Sequence, residues 1–414
     1  MLGRDRAEAR LLLLTAAALM AMGLAVLYSA GQTDVPTAAV RLWERQLTFL
    51  GVGVVLAVIV ARISTRLVEW ATPAIYGLAL ALLVVTLIAG TGAGTAAGSR
   101  SWLAIAGVRI GQPSELAKLA VVLMLARHLA SRREPPATLW QLVPSGAIVG
   151  LAFLLVAMQP DLGSAIVFVG ILFTVLYWAG VSLWMLLLLA SPLLSLMFAF
   201  STLSWGIWIA GLTILLFWLR PYLVEGLTVW LANVGMGIVA LSLWNQLAPY
   251  QQNRVLSFLN PEVDPRATGW HIIQSKVAIG SGGLLGKGFT QGTQKRLAFL
   301  PEQATDFIYS VVGEELGFLG VFASLVLFGI LLTLLVRIAR RATDPFASLV
   351  VFGIAGMLFT HVVENVGMTI GLMPITGIPL PFFSYGGSFL LTTCVALGVV
   401  LRVERDSRRA GYGD

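Results

Sequence analysis

The chain has 414 residues, of which 58% are hydrophobic and only 11% are charged, and its formal net charge is +7. Soluble domains carry about 25% charged residues to cover their surface, so this composition excludes a water-soluble globular protein. A basic balance in a soluble chain would raise nucleic acid as a partner. Here the basic residues lie between apolar runs, so membrane topology explains them and no nucleic-acid partner is expected.

Apolar runs of about the 20 residues needed to cross a bilayer follow one another along the chain. They cover approximately 11–30, 46–62, 72–90, 114–130, 142–158, 162–180, 184–200, 204–219, 226–246, 308–336, 346–366 and 383–402. In lipid, such runs satisfy their backbone hydrogen bonds only as helices. The sequence therefore predicts an all-α, polytopic membrane protein with about 10–12 transmembrane helices. The first run has no clear cleavage site after it, which favours a retained span over a signal peptide.

The bias of Lys and Arg predicts the orientation. Basic residues concentrate before the first run, after the last one and in alternate connections, which places both termini in the cytoplasm. The segment 247–307 then lies outside and is too long to be a passive connection. No internal repeat appears, so residues 1–414 are interpreted as one integral-membrane domain with a large extracytoplasmic loop at 247–307.

Polar residues on the predicted outer side begin near the fourth run. Pro113 suits the first turn of a helix, with Ser114 as a nearby cap. Glu115 and Lys118 are three residues apart and share a helix face. Because an isolated charge at this depth is costly, they are expected to pair, either as a structural link between helices or in direct contact with a ligand. Asp161, in a tight outer turn, is better explained as a helix cap than as a catalyst.

The long outer loop contains a predicted amphipathic helix around Ile272–Ile279 that would lie at the membrane interface. A glycine-rich run at 280–288 follows. It is either an anion site built from backbone N–H groups or a flexible hinge. Six outer cations depart from the positive-inside pattern: Arg254, Arg266, Lys276, Lys287, Lys295 and Arg296. An anion is expected to compensate them, either a lipid diphosphate or the headgroups of membrane lipids.

A further polar stretch begins at Glu364–Gly367 and continues through Pro374–Pro381, where three prolines preclude a regular helix. Non-helical backbone at membrane depth lines a cavity or is buried in protein, so this stretch is interpreted as part of a substrate cavity wall. The histidines His128, His271 and His361 are scattered and lack metal-ligand spacing. No P-loop or serine-hydrolase elbow is present.

Together these segments resemble the SEDS family (shape, elongation, division and sporulation) of integral-membrane peptidoglycan polymerases. The resemblance runs from about Gly98 to the last span, broken near 181–246. It is carried by five blocks in family order: Gln112–Lys118, Gln159–Gly163, His271–Lys276 with Gly280–Gly283, Phe299–Glu302 with Thr305–Phe307, and Ser384–Ser388. Two further pieces, Pro374–Pro381 and Gly292–Gln294, resemble the members that maintain rod shape during elongation. The family usually has ten spans, so 201–246 is interpreted as an extra helix pair.

The resemblance implies a substrate and a reaction. Lipid II, a disaccharide-pentapeptide on undecaprenyl diphosphate, would be polymerised at the outer face of the bacterial cytoplasmic membrane, where a class B penicillin-binding protein would crosslink the strands. Asp264 matches the family's essential acidic residue and is expected to be the general base. A turn residue or a divalent-cation ligand are its alternatives, and no cofactor or metal site is otherwise predicted.

The remaining site residues are predicted to bind substrate. Arg109, Lys118, Arg254 and Lys276 are expected to contact the diphosphate or the sugars, and Glu115 to orient Lys118. The main alternative function is a lipid II flippase, since buried charges and broken helices also occur in transporters. A scaffold without activity is disfavoured, because it has no need for so many charges in its outer loop.

Overall fold

The computed structural model describes most of the chain. The described residues are 2–92, 101–105, 108–199, 201–219, 222–246, 252, 268–300 and 302–410. Within them the chain is predominantly helical, which confirms the predicted all-α membrane fold. The fourteen helices are α1 (Leu2–Ala30), α2 (Leu42–Val60), α3 (Thr65–Ala89), α4 (Pro113–Ala130), α5 (Leu139–Ala157), α6 (Leu162–Trp178), α7 (Leu183–Phe198), α8 (Thr202–Leu219), α9 (Leu223–Gln246), α10 (Thr268–Gly282), α11 (Thr293–Arg296), α12 (Ile308–Arg341), α13 (Pro345–Ile370) and α14 (Gly387–Ala410).

Nine of the described helices are long and apolar enough to cross a membrane, namely α1–α3, α5, α8, α9 and α12–α14. The apolar helices α6 and α7 are shorter. Helix α4 has 18 residues but contains Glu115, Lys118 and Arg127. These helices together account for every predicted apolar run. The chain is therefore a multi-pass membrane protein.

The only strands among the described residues form a small antiparallel hairpin, β1 (Leu103–Ile105) and β2 (Val108–Gly111), which leads into α4. Proline at the start of α4 supports the predicted first turn. Ser114 is not a cap as expected: its hydroxyl lies 3.3 Å from that of Ser164 on α6. Asp161 caps the start of α6, as predicted, because its Oδ1 accepts from the Ser164 N–H at 3.0 Å.

Helix α13 lies at the centre of the bundle, where it packs against α4, α6 and α12. In its apolar window 72% of the residues are buried, against 6% in α8. The pair α8 and α9 packs on α7 at one side of the molecule. We call α7–α9 the lateral helices.

Helix α12 is interrupted at Gly317, where the backbone takes φ 62° and ψ −163°. Glycine tolerates this conformation because it has no Cβ. An added Cβ would also lie 2.3 Å from the Gly286 nitrogen. The interruption receives residues 283–288 of the loop that is predicted to lie outside, and this contact positions the site.

Candidate functional site

The glycine-rich run of the outer loop pairs with the interruption in α12. The N–H groups of Lys287 and Gly288 donate to the carbonyls of Glu314 and Glu315 at 3.0 and 3.1 Å, and the Phe318 N–H donates to the Gly283 carbonyl at 2.9 Å. These bonds satisfy the groups that a broken helix leaves unpaired. The predicted anion site is therefore wrong for these N–H groups, because they are already engaged within the protein.

Residues 286–296, which begin within this run, form a segment that we call the strap. Lys287 Nζ lies 2.8 Å from Glu314 Oε1, and Lys295 Nζ lies 2.8 Å from Glu315 Oε1. Lys295 is fully buried, and its ammonium also donates to the Ser29 carbonyl on α1 at 2.6 Å. Unpaired charges at this depth are costly, so these contacts fix the strap between α1 and α12.

Three of the six outer cations are therefore compensated by the protein's own carboxylates, since Arg296 also lies 3.0 Å from Asp34. For these cations the expectation of an external anion is wrong. Arg254 and Arg266 lie outside the described residues. Lys276, on α10, is exposed and has no acidic partner in the part of the chain that is described.

Lys276 is held near the end of another helix. Its neighbour Ser275 is buried and donates from Oγ to the Thr369 carbonyl on α13 at 2.6 Å. This bond places the Lys276 ammonium beside Gly371, the left-handed C-cap of α13, where an added Cβ would lie 2.6 Å from Nζ. A cation is favoured at the negative end of a helix. Lys276 is thus an accessible positive charge at the end of the bundle that is predicted to lie outside.

Glu115 and Lys118 form the predicted pair, with Lys118 Nζ 2.8 Å from Glu115 Oε1. Both side chains are buried, at 3% and 1% exposure. The ammonium also lies 3.2 Å from Nε2 of His361 on α13. This burial supports the structural alternative, a link between α4 and α13, and direct contact with substrate stays a prediction.

His361 is a site residue that sequence reasoning missed. We expected the histidines to be scattered, but the packing of α13 on α4 brings His361 to Lys118. The two residues are 243 positions apart in sequence, so spacing alone gives no sign of the contact. A signal was available in their chemistry, because a histidine in an apolar span needs a polar partner.

The stretch between α13 and α14 is non-helical, as its prolines predict, and residues 380–384 within it are buried. Asn365 of α13 donates from Nδ2 to the carbonyls of Asp306 at 2.9 Å and Ile378 at 2.7 Å. Glu364 accepts from the Thr376 hydroxyl at 2.9 Å. Proline removes backbone donors, so these side chains hold the stretch in place of regular backbone pairing. Its predicted role as a cavity wall stays a prediction.

The Ser384–Ser388 block joins the other blocks. The Ser384 hydroxyl donates to the Thr305 carbonyl at 2.5 Å, and the Ser388 hydroxyl accepts from the Gln112 N–H at 3.1 Å. Gln46 of α2 holds the block from the other side, since its Nε2 donates to the Ser384 carbonyl at 3.1 Å. Blocks that are distant in sequence therefore meet at one end of the bundle.

Three of the predicted site residues have no described side chain. Asp264 and Arg254 lie outside the described residues. Arg109 belongs to β2, and only its backbone is described. Within the described residues, no cluster of three His, Cys, Asp or Glu side chains could hold a metal ion. A cation ligand role for Asp264 therefore stays an open alternative.

The fold and these meeting blocks define a class, the multi-pass membrane proteins with a structured outer loop. A family model described as "Cell cycle protein" (FTSW_RODA_SPOVE) matches residues 9–221 and 207–409. The chain belongs to this FtsW/RodA/SpoVE family, which confirms the predicted SEDS membership. The two matched stretches meet within 201–246, where the extra helix pair is predicted.

Similar proteins of known activity support the closer assignment. "Peptidoglycan glycosyltransferase RodA" of Treponema pallidum (strain Nichols) is 35% identical over 95% of this chain and 96% of its own length. "Peptidoglycan glycosyltransferase MrdB" of Escherichia coli (strain K12) is 36% identical, with 95% and 92% covered. A solved structure described as "Structural coordination of polymerization and crosslinking by a peptidoglycan synthase complex" matches with TM-score 0.70 and 32% identity, covering 96% of this chain and 97% of that one. The predicted RodA-like character is confirmed.

Proposed function

We propose that this protein is a peptidoglycan glycosyltransferase that polymerises lipid II during cell elongation. The observation that carries the proposal is the meeting of the family blocks at one end of the bundle, beside the exposed Lys276. The names of relatives about 35% identical over 95% of the chain support the same activity.

In the proposed reaction, the 4-hydroxyl of one sugar attacks the anomeric carbon of a muramyl unit on a second lipid II. A new glycosidic bond forms while the bond to the diphosphate breaks, and undecaprenyl diphosphate leaves with the bonding electron pair. Asp264 would take the hydroxyl proton. Positive charge near the departing diphosphate stabilises the transition state, a role that Lys276, Arg254 and Arg109 would share.

The buried pair Glu115–Lys118 has a different role in this mechanism. A side chain with about 1% exposure does not reach a substrate in the described conformation. We assign the pair to positioning, because it fixes α4 against α13 directly below the blocks that meet at the outer end. Among the predicted substrate-binding residues whose side chains the structure describes, only Lys276 is then accessible to substrate.

A partner is also proposed. The similar synthase complex couples polymerisation to crosslinking according to its description, and a class B penicillin-binding protein would supply crosslinking here. Its transmembrane helix would pack against 308–366. The outer face of α12 supports this, since Phe318 and Phe322 are exposed there with ring centroids 6.1 Å apart. Both termini would lie in the cytoplasm.

The test is incubation of the purified full-length protein with lipid II in detergent, with glycan length read on a gel. Polymer that grows with time supports the proposal. A flippase would give no polymer but would move lipid II across the membrane of a reconstituted vesicle. That combination of results would establish the alternative and overturn the polymerase.

A further inference from the structure

His361 lies at the centre of the bundle with both ring nitrogens engaged. Its side chain is fully buried. Nδ1 lies 3.0 Å from the Pro379 carbonyl oxygen, and Nε2 lies 3.2 Å from Lys118 Nζ. One face of the ring stacks on Phe389, with centroids 4.5 Å apart. The ring therefore joins α13 to α4, α14 and the proline-rich stretch at once.

These contacts define the protonation state of the ring. A carbonyl oxygen only accepts hydrogen bonds, so Nδ1 must carry the proton. The ammonium of Lys118 only donates, so Nε2 must present its lone pair. Only the neutral tautomer with its proton on Nδ1 satisfies both contacts. A ring protonated on both nitrogens would direct an N–H at the ammonium.

The same face of α13 holds two consecutive carbonyls of the proline-rich stretch. Asn365, one turn after His361, donates to the Ile378 carbonyl at 2.7 Å, and His361 donates to that of Pro379. Because Asn365 also donates to the Asp306 carbonyl at 2.9 Å, this face of α13 reaches the end of the outer loop. A shift of the ring would therefore displace both Lys118 and the stretch that carries the Ser384–Ser388 block.

We propose that His361 is a positioning residue for glycosyl transfer, acting through Lys118. The Nε2 lone pair of His361 and the Glu115 carboxylate both accept from the Lys118 ammonium. The ring thereby fixes the position of the α4 pair beneath the site. This inference rests on the proposed function. Small misplacements remote from the reacting atoms can lower turnover about 100-fold, so loss of the Nε2 contact should be seen in kcat more than in KM.

Two substitutions test the contacts of the two ring nitrogens separately. His361→Gln places an amide oxygen near the position of Nε2 and keeps an acceptor for Lys118. His361→Asn places its amide near Nδ1 and keeps a donor for Pro379, but it leaves Lys118 without that acceptor. Both change the volume of the same buried site, so a loss caused by packing alone would affect both. His128→Gln, at the far end of α4, is the matched control and should polymerise like the native protein.

The measurement is the rate of lipid II polymerisation against substrate concentration, with thermal unfolding of each full-length variant in the same detergent. We expect His361→Asn to lower kcat by about 10- to 100-fold with KM nearly unchanged, and His361→Gln to retain most of the turnover. Equal losses in the two variants, or native turnover in His361→Asn, would overturn the positioning role. Absence of polymer from the native protein would instead count against the proposed function itself.

Discussion

The polar centre of the bundle and the lateral helices both bury polar side chains, but they bury different kinds. In the centre, α4 and α12 contribute charged residues, as in Glu115 with Lys118. In the lateral helices the buried polar groups are neutral apart from Glu225, which lies in the first turn of α9 and accepts from the Leu139 N–H at 3.0 Å. Asn233 of α9 donates to the Ser191 hydroxyl at 2.8 Å and accepts from the Trp208 indole at 3.1 Å.

This difference separates two physical roles. Neutral hydrogen bonds between membrane helices contribute on average about 0.6 kcal/mol each, which is enough to hold helices together. Charges at membrane depth are far more costly and occur mainly where function requires them. The centre should therefore control the reaction, while the lateral helices should contribute to stability alone.

The largest effect is expected for Lys118→Met. This change leaves the Glu115 carboxylate buried without its cation, and breaking one partner of a buried pair costs about 3–5 kcal/mol. We expect a large drop in the thermal unfolding temperature and loss of polymer on a gel.

The double variant Glu115→Gln with Lys118→Met removes both charges and serves as the control. It should recover most of the stability without recovering polymerisation, because the position of α4 beneath the site is then unspecified. Native activity in the double variant would place the centre in the same class as the lateral helices and abolish the distinction.

A smaller effect is expected for Asn233→Leu in the lateral helices. The loss of its hydrogen bonds should lower stability by about 0.6–1.7 kcal/mol, and the polymerisation rate should stay close to native. Thermal unfolding and the lipid II gel on one preparation measure both quantities. A rate that falls in step with that of Lys118→Met would show that the lateral helices take part in the reaction.

The smallest effect on activity is expected from single cysteines that report orientation. Gln291 in the strap and Thr343 between α12 and α13 are both exposed and suit labelling after Cys394→Ala. We expect Gln291→Cys to react with a membrane-impermeant thiol reagent in intact cells and Thr343→Cys to react only after lysis. The reverse labelling pattern would show that the predicted orientation is wrong and that the site lies on the cytoplasmic side of the membrane.

Most of the fold could be predicted from the sequence, because lipid leaves helices as the only solution for long apolar runs. The Glu115–Lys118 pair was predictable as well, since residues three apart share a helix face. The three prolines within Pro374–Pro381 predicted the irregular backbone of that stretch. In each case the decisive interaction lies within a few residues along the chain.

What could not be predicted depends on contacts between distant segments. The glycine-rich run at 280–288 was interpreted as either an anion site or a flexible hinge, whereas part of it pairs with the break in α12 at Gly317. Lys287 and Lys295 were expected to face an external anion, but their partners are Glu314 and Glu315 in a following helix. The sequence shows which residues are charged and how they are spaced. It does not show which carboxylate a given lysine contacts once the helices have packed.

The most direct measurement of the central claim is lipid II polymerisation by Asp264→Asn, with Asp161→Asn as the matched control. Asparagine keeps the shape and turn-forming capacity of Asp264 but removes its basicity, so a general base predicts a loss on the order of 100- to 10,000-fold, seen as absence of polymer. Asp161→Asn should remain substantially active, because asparagine also caps helices. Polymer formed by Asp264→Asn at a near-native rate would contradict the proposed mechanism and make the transporter the leading explanation.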